Sequence, residues 1–285
     1  MSSRPGTLRV ATCQFSESFT PRRNAAIVRR YIARAKAMRA DVVHFHEACL
    51  SGYFARKGAP ALETYDWDAL REAAQSVCDE AKRRRIWALL GSAHRLTGRH
   101  KPTNCLYLIG PDGKVRDRYD KCFCTGGDLK FYTPGDRFMT FKINGVPCST
   151  LICYDVRFPE MYRKLYQMGV RMLFQSFHNA YADKPNILAK VIRETMQGHA
   201  GVNNLFMSIN NSNGYYSNWP SSFITPDGQI AAALRRNVAG IMVNTVDLKK
   251  VFYDAAGPYR DRAIRGVLHS GTPVKDPRIS DRTCL

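Results

Sequence analysis

Apolar and polar positions along the chain fall into two alternating rhythms. Residues 8–15 (LRVATCQF) form a β-branched, apolar run of the kind that fills a buried strand. Over residues 21–40, Ile27, Val28, Tyr31, Ile32, Ala35 and Met38 return at helical spacing with arginines opposite, and Pro21 suits a first helical turn. Residues 41–46 (DVVHFH) give another short strand, which runs out at Glu47. Trp67, Leu70, Ala73, Ala74, Val77, Cys78 and Ala81 predict a second helix, and residues 86–93 (IWALLGSA) a third strand. Hairpins follow: NCLYLIG and KVRDRYD flank Pro111-Asp112-Gly113, and FKI and VPCSTLICYD flank Asn144-Gly145. Pro159 opens a helix through Met161, Leu165 and Met168 that Gly169 stops. A strand at 170–177, a helix marked by Ile187, Leu188, Val191, Ile192 and Thr195, and a strand at 205–210 come next. A hairpin over Pro226-Asp227-Gly228 and a last strand at 240–247 complete the series.

A β-α-β-α-β-hairpin order thus occurs early, and something similar recurs after residue 140. Two mixed sheets with helices on their outer faces would bury every apolar stripe, so we expect an α/β fold of that kind. No Gly-, Ser- or Pro-rich linker divides the halves, which predicts one domain over residues 1–285. The tail from about residue 251, with Pro258, Pro273 and Pro277, reads as an extended arm.

Composition narrows the function classes. With 45% hydrophobic and 24% charged residues among 285, the chain has the balance of a globular protein. No apolar run approaches the ~20 residues that span a bilayer, and the first residues lack the apolar stretch of a secretory signal. The nine cysteines are odd in number, contain no CxxC pair, and Cys122-Phe-Cys124 is too tight for a usual zinc site. We therefore expect reduced thiols, a cytoplasmic protein and no metal or cofactor. The formal charge of +19, from 43 Lys+Arg against 24 Asp+Glu, could draw nucleic acid or an anionic substrate. Yet the cations are dispersed, and the one run, Lys82-Arg83-Arg84-Arg85, closes a helical pattern where positive charge suits the dipole. No nucleic-acid motif accompanies it, so we read a solvated helix end rather than a nucleic-acid patch.

Three polar residues fall where apolar strands run out: Glu47 after VVHFH, Lys121 after VRDRYD, and Cys153 after STLI. Each has a bland reading. A cysteine in an apolar run is commonly a small buried hydrophobe, Glu47 beside His44 and His46 could solvate a strand end, and exposed lysines are everywhere. Together they make chemical sense. A thiol of ordinary pKa is only a few per cent thiolate at neutral pH. A carboxylate can take its proton, and an ammonium can stabilise the thiolate and then an oxyanion, jointly with the backbone N–H after the cysteine.

Glutamate, lysine and cysteine in this arrangement resemble the nitrilase superfamily of carbon–nitrogen hydrolases. The segments that carry the resemblance are His46-Glu47-Ala48-Cys49-Leu50-Ser51-Gly52-Tyr53, Tyr119-Asp120-Lys121, Tyr132-Thr133-Pro134-Gly135-Asp136, and the specific string Cys153-Tyr154-Asp155-Val156-Arg157-Phe158-Pro159-Glu160. It runs from about residue 8 to about 247. The resemblance implies a four-layer αββα sandwich, no metal, and hydrolysis through a Cys153 thioester. Glu47 would be the base, and Lys121 and the Tyr154 backbone N–H would hold the oxyanion. A homodimer or larger homo-oligomer, formed through the helices near the cysteine turn, is also implied. Nitrile-cleaving members more often carry Trp-Glu after the cysteine. Tyr154-Asp155 here favours amidases and N-carbamoyl-amine hydrolases over nitrile hydrolysis.

Two positions depart from the pattern. Lys121-Cys122-Phe123 lacks the histidine many members place two residues after the lysine. Leu129 occupies the register of a second glutamate, leaving Asp128 either to orient Lys121 or to serve as a turn residue after Gly126-Gly127. Tyr53, Phe131, His178, Asn179 and Asn211 are candidates for the substrate rim by position, and Arg157 is expected to brace the turn with Glu160 or Asp155. Acyl transfer to an amine shares the same thioester and stays open, and a basic binding module is the non-enzymatic rival.

Overall fold

The computed structural model describes residues 4–283; Cys284, one of the nine expected thiols, lies outside them. Strands β1 (Thr7–Gln14), β2 (Val42–His44), β3 (Trp87–His94), β4 (Thr103–Ile109) and β5 (Val115–Asp120) join β12 (Gly240–Asp247) in one six-stranded sheet, ordered β12-β1-β2-β3-β4-β5. Strands β6 (Thr140–Ile143), β7 (Val146–Ile152), β8 (Met172–Phe177), β9 (Phe206–Asn211), β10 (Ser222–Ile224) and β11 (Ile230–Ala233) form the second, ordered β11-β10-β9-β8-β7-β6. Each sheet has a parallel triple at its centre, β1-β2-β3 or β7-β8-β9, flanked by antiparallel strands, so both are mixed. The repeated order seen in the sequence is this doubling.

Helices α1 (Pro21–Ala37) and α2 (Trp67–Arg84) cover the outer face of the first sheet, where Val28, Ile32 and Val77 meet Ala11, Val43 and Leu90. Helices α3 (Pro159–Gln167) and α4 (Leu188–Asn203) cover the second, with Tyr162 donating to Gln175 of β8. The two inner faces meet through Leu8, Val10, Val42 and Leu89 on one side and Leu151, Met172 and Phe174 on the other. This is the αββα sandwich.

Polar side chains also lie between the sheets. Thr12 and Ser208 hydroxyls are 2.7 Å apart, and the His44 ring bridges Ser208 and Ser176, each at 2.8 Å. Burial holds that imidazole neutral, its pKa lowered to about 3. His44, His46 and Glu47 are therefore interior groups rather than the solvated strand end that was the alternative reading.

Two further sequence expectations are refined. The basic run does more than meet water: Arg83 and Arg84 clamp the buried Glu80 carboxylate, the latter at 2.8 Å, with Arg29 at 4.0 Å, while Arg85 ends α2 in the left-handed conformation. The tail beyond residue 251 carries two short helices, α5 (Arg260–Ile264) and α6 (Pro277–Ser280). Arg260 is buried there, bonding the Val202 carbonyl at 2.8 Å and Asp254 at 2.9 Å, so this part of the arm is packed onto α4 rather than extended. Among the described residues no helix is long and apolar enough to cross a membrane.

Candidate active site

The carboxyl ends of parallel strands are where an α/β scaffold leaves side chains both fixed and accessible. Glu47 stands in the loop after β2. That loop runs so close over β3 that Gly91 has no room for a side chain; a Cβ there would lie 2.1 Å from the His46 carbonyl oxygen. The buried Glu47 carboxylate accepts from Asn104 Nδ2 at 2.6 Å and Lys121 Nζ at 3.0 Å on one oxygen, and from the His178 backbone N–H at 2.7 Å on the other. Three donors thus fix its plane.

Lys121 follows β5, its own N–H donating to the Asn104 carbonyl at 2.8 Å. Gly135 packs against it, accepting no Cβ because Asp120 O would be 2.3 Å away, and donates its N–H to the Lys121 carbonyl. The ammonium is fully buried and bonds Glu47 at 3.0 Å and Asp128 at 2.9 Å. Burial disfavours its charge, but Glu47 first, then Cys153, Tyr53 and Asp128, more than offset that and raise its pKa well above the ordinary lysine value. It is an ammonium with two of three N–H groups committed, leaving one.

Asp128 opens a short 3₁₀ turn, Asp128–Lys130. Besides Lys121 its carboxylate accepts from the Thr125 N–H at 2.9 Å and from the Tyr53 hydroxyl. Burial opposes ionisation, yet Lys121 and these donors lower its pKa. Asp128 is therefore bonded directly to Lys121, which settles the geometric half of the question left open between orienting residue and turn residue.

Cys153 sits just past β7, at φ +43°, as the first residue of the 3₁₀ turn Cys153–Arg157. The turn is braced by Asp155, but through Tyr119 OH (2.8 Å), Ile152 N–H (2.9 Å) and Phe123 N–H (2.9 Å) rather than through Arg157 as expected. Tying Tyr119 and Phe123 to this turn couples the lysine segment of one sheet to the cysteine of the other. Burial pushes Asp155 up to about 6. The Cys153 thiol lies within hydrogen-bonding reach of Glu47, with Lys121 and Asp128 nearby; burial first, then the Glu47 charge, raises its pKa well above the ordinary thiol value, Lys121 only partly opposing. The resting state is thus a protonated thiol beside an acceptor. The N–H of Tyr154, the second residue of the turn, has no partner within the turn by its position.

The other sequence candidates divide. Tyr53 is brought in by its bond to Asp128, with its ring 4.7 Å from that of His178. His178 reaches Glu47 through its backbone while its Nε2 lies 2.8 Å from Glu17. Phe131 packs against the apolar cluster beneath α1 and α2. Asn179 and Asn211 bond each other, the Asn179 N–H to Asn211 Oδ1 at 2.8 Å, and brace the loops holding Asn218 and Trp219. Asn104 and Glu17 were missed. Asn104, an amide within an otherwise apolar strand run, carried a readable signal; Glu17, in the polar stretch after β1, carried none.

A family model described as Carbon-nitrogen hydrolase matches residues 9–252. The chain belongs to the carbon–nitrogen hydrolase family. Among curated relatives of this chain, an (R)-stereoselective amidase of Pseudomonas sp. is 30% identical over 174 residues, 61% of this chain and 60% of the relative. A human omega-amidase is 27% identical over 59% of this chain and 62% of its own. An N-carbamoylputrescine amidase of Solanum tuberosum is 29% identical over 56% and 60%. The chain spans about three fifths of the length of the curated relatives it matches. In fold it is similar to the amidase from Nesterenkonia sp. AN1, whose double mutant in complex with acrylamide superposes with TM-score 0.77 at 20% identity, covering 94% of this chain and 100% of that one. Another structure of that amidase shows the acetamide moiety of fluoroacetamide added to its active-site cysteine.

Proposed function

We propose that this carbon–nitrogen hydrolase cleaves a small linear amide or N-carbamoyl compound through a Cys153 thioester. The observation that carries the reading is the meeting, in one buried place, of a protonated thiol, a carboxylate held by three donors, and a lysine ammonium with one uncommitted N–H.

The charge balance suggests the order of events. Glu47, Asp128 and Lys121 together carry one net negative charge, so a free Cys153 thiolate would add a second in a buried site. Proton transfer to Glu47 is therefore coupled to attack: as sulfur bonds the amide carbon, its proton passes to Glu47. The oxyanion forms against Lys121 Nζ and the Tyr154 N–H. Collapse breaks the C–N bond, Glu47 returns the proton to nitrogen, and ammonia or amine leaves. Water then attacks the thioester, giving its proton to Glu47; collapse expels the sulfur, which recovers that proton, and the carboxylic acid departs. Asp128 holds Lys121 in place, with Tyr53 anchoring Asp128. Tyr53 and His178, whose rings stand side by side at this place, would meet the substrate.

The eight described cysteines are free thiols, in keeping with a cytoplasmic setting. We extend the reading to self-association through α3 and α4, with sedimentation at micromolar protein as its check. The main test is a panel of primary amides, ω-amides, N-carbamoyl amines and nitriles assayed for ammonia, with and without an amine acceptor, and mass spectrometry of the Cys153 peptide. Ammonia release from amides with a transient acyl adduct on Cys153 is the expected result. Turnover without that adduct would overturn the mechanism.

A further inference from the structure

Glu17 lies outside the triad, in the loop after β1, and is as buried as the triad itself. One of its carboxylate oxygens is 3.1 Å from His46 Nε2 and 2.7 Å from Ser212 Oγ; the other is 2.8 Å from His178 Nε2 and 3.5 Å from Arg56. Its carbonyl oxygen accepts from the Tyr181 hydroxyl at 2.8 Å, and Arg56 lies over the Tyr181 ring at 3.9 Å. A buried carboxylate with this many partners is a structural tie, and what it ties is specific. His46 immediately precedes Glu47 on the first sheet's side. His178, on the second sheet's side, supplies the N–H that Glu47 accepts. Ser212 follows β9. One carboxylate thus joins the ends of β1, β2, β8 and β9 around the base.

We propose that Glu17 is a positioning residue for Glu47, fixing from both sheets the angle at which its carboxylate meets the Cys153 thiol. The role rests on the triad reading above and deepens it. A neutral amide at position 17 would be a poorer partner than the carboxylate. With both rings protonated on Nε2, two imidazole N–H groups and a hydroxyl converge on two acceptor oxygens, and an NH₂ in place of one oxygen would face a donor or force a ring to change tautomer. The second nitrogen of His46 fits this arrangement. Its Nδ1 is buried and finds no partner among the described residues, which suits a neutral ring carrying its proton on Nε2, towards Glu17. Burial disfavours the Glu17 charge, but His178 and His46 hold its carboxyl well below the usual range, and burial lowers the His46 pKa. The tie is therefore a carboxylate receiving N–H bonds across the neutral range.

The test compares wild type with Glu17→Gln, and a His46→Leu variant with His46→Gln, which keeps a donor near the Nε2 position. Cys153 labelling by fluoroacetamide is followed from pH 5 to 10 by peptide mass spectrometry, beside kcat and KM for the best amide. Glu17→Gln should slow labelling at pH 7 and reduce kcat by about 10- to 100-fold, the scale of an ångström misplacement of a reacting group. It should also shift the labelling midpoint and change KM less than kcat, since Glu17 itself touches no substrate and reaches it only through His178. His46→Leu should show the same pattern and His46→Gln should recover most of it, so a Glu17 variant that fails to fold leaves the question answerable. Labelling rates, midpoints and kcat matching wild type in Glu17→Gln would overturn the role, as would His46→Leu and His46→Gln behaving alike, even with a lowered melting temperature. If the wild-type Cys153 does not label, or Cys153→Ala still releases ammonia, the proposed reaction itself falls and this inference with it.

Discussion

Replacing Asp128 by Asn tests whether Lys121 needs two carboxylates or one. At 2.9 Å and an effective dielectric near 20, the attraction between the Asp128 carboxylate and the Lys121 ammonium is about 6 kcal/mol before desolvation is subtracted. Breaking such buried pairs costs about 3–5 kcal/mol of stability, because the remaining charge stays unpaired. Here the remaining charge has somewhere to go: Lys121 would be left with Glu47, already 3.0 Å away. A one-to-one ion pair draws the ammonium onto the base and takes the third N–H away from the oxyanion. The Asn NH₂ would also face one of Tyr53 OH, Thr125 N–H or Lys121, all donors to the carboxylate. Loss of one oxyanion donor alone is worth about 10²- to 10³-fold in kcat. We expect a fall of at least that size, with KM changed less, in steady-state ammonia release on the preferred amide, together with a loss of about 3 kcal/mol in urea unfolding. A variant that unfolds more easily yet retains kcat within twofold would refute the reasoning and return Asp128 to the status of a turn residue.

Cys153→Ala should abolish ammonia release while circular dichroism and the urea midpoint stay close to wild type; wild-type turnover in that variant would remove the mechanism. Gly91→Ala places a methyl 2.1 Å from the His46 carbonyl oxygen and 2.8 Å from the Ala48 nitrogen, so the Glu47 loop must shift, and about a 10²-fold loss of kcat is expected. Activity within threefold of wild type would show that the loop can move without consequence. For His44, whose pKa is lowered to about 3 by burial, the unfolded chain takes up a proton below pH ~6.5 and the folded chain does not. The stability it contributes is complete above 6.5 and is lost as the pH falls towards 3, about 2 kcal/mol of it by pH 5. The pH 7.5-to-5 stability difference should shrink by that amount in His44→Gln, and an unchanged difference would contradict a neutral buried ring.

The strands and helices were legible because their apolar residues keep a period of 2 or 3.6; α1 ends at Ala37 rather than 40, while α4 runs to Asn203, well past Thr195, the last position its apolar spacing marked. Glu47, Lys121 and Cys153 were legible as polar residues at the ends of apolar runs, joined by a motif string. What periodicity does not encode is the third dimension between segments. Asp128 was ambiguous because one residue of register separates a glutamate slot from a turn, and its contact with Lys121 is a matter of the fold that no local pattern encodes. Asp155 was credited with the wrong partners, since a carboxylate in a turn looks equally ready for Arg157 or for Tyr119 thirty-six residues away. Glu17 sits in a stretch with no period at all, and its importance comes wholly from loops that the fold brings to it.

Thr12, His44, Ser176 and Ser208 interlock across the seam between the two sheets, and the groups proposed for catalysis hang from opposite sides of that seam. The filling of the sandwich consequently behaves as a gauge block: its thickness sets the gap between sulfur and carboxylate. A methyl group added or removed at Val42, well behind the reacting atoms, would be felt in that gap as well as in stability. Side chains well away from the reacting atoms would in this way share in the geometry that the proposed chemistry needs.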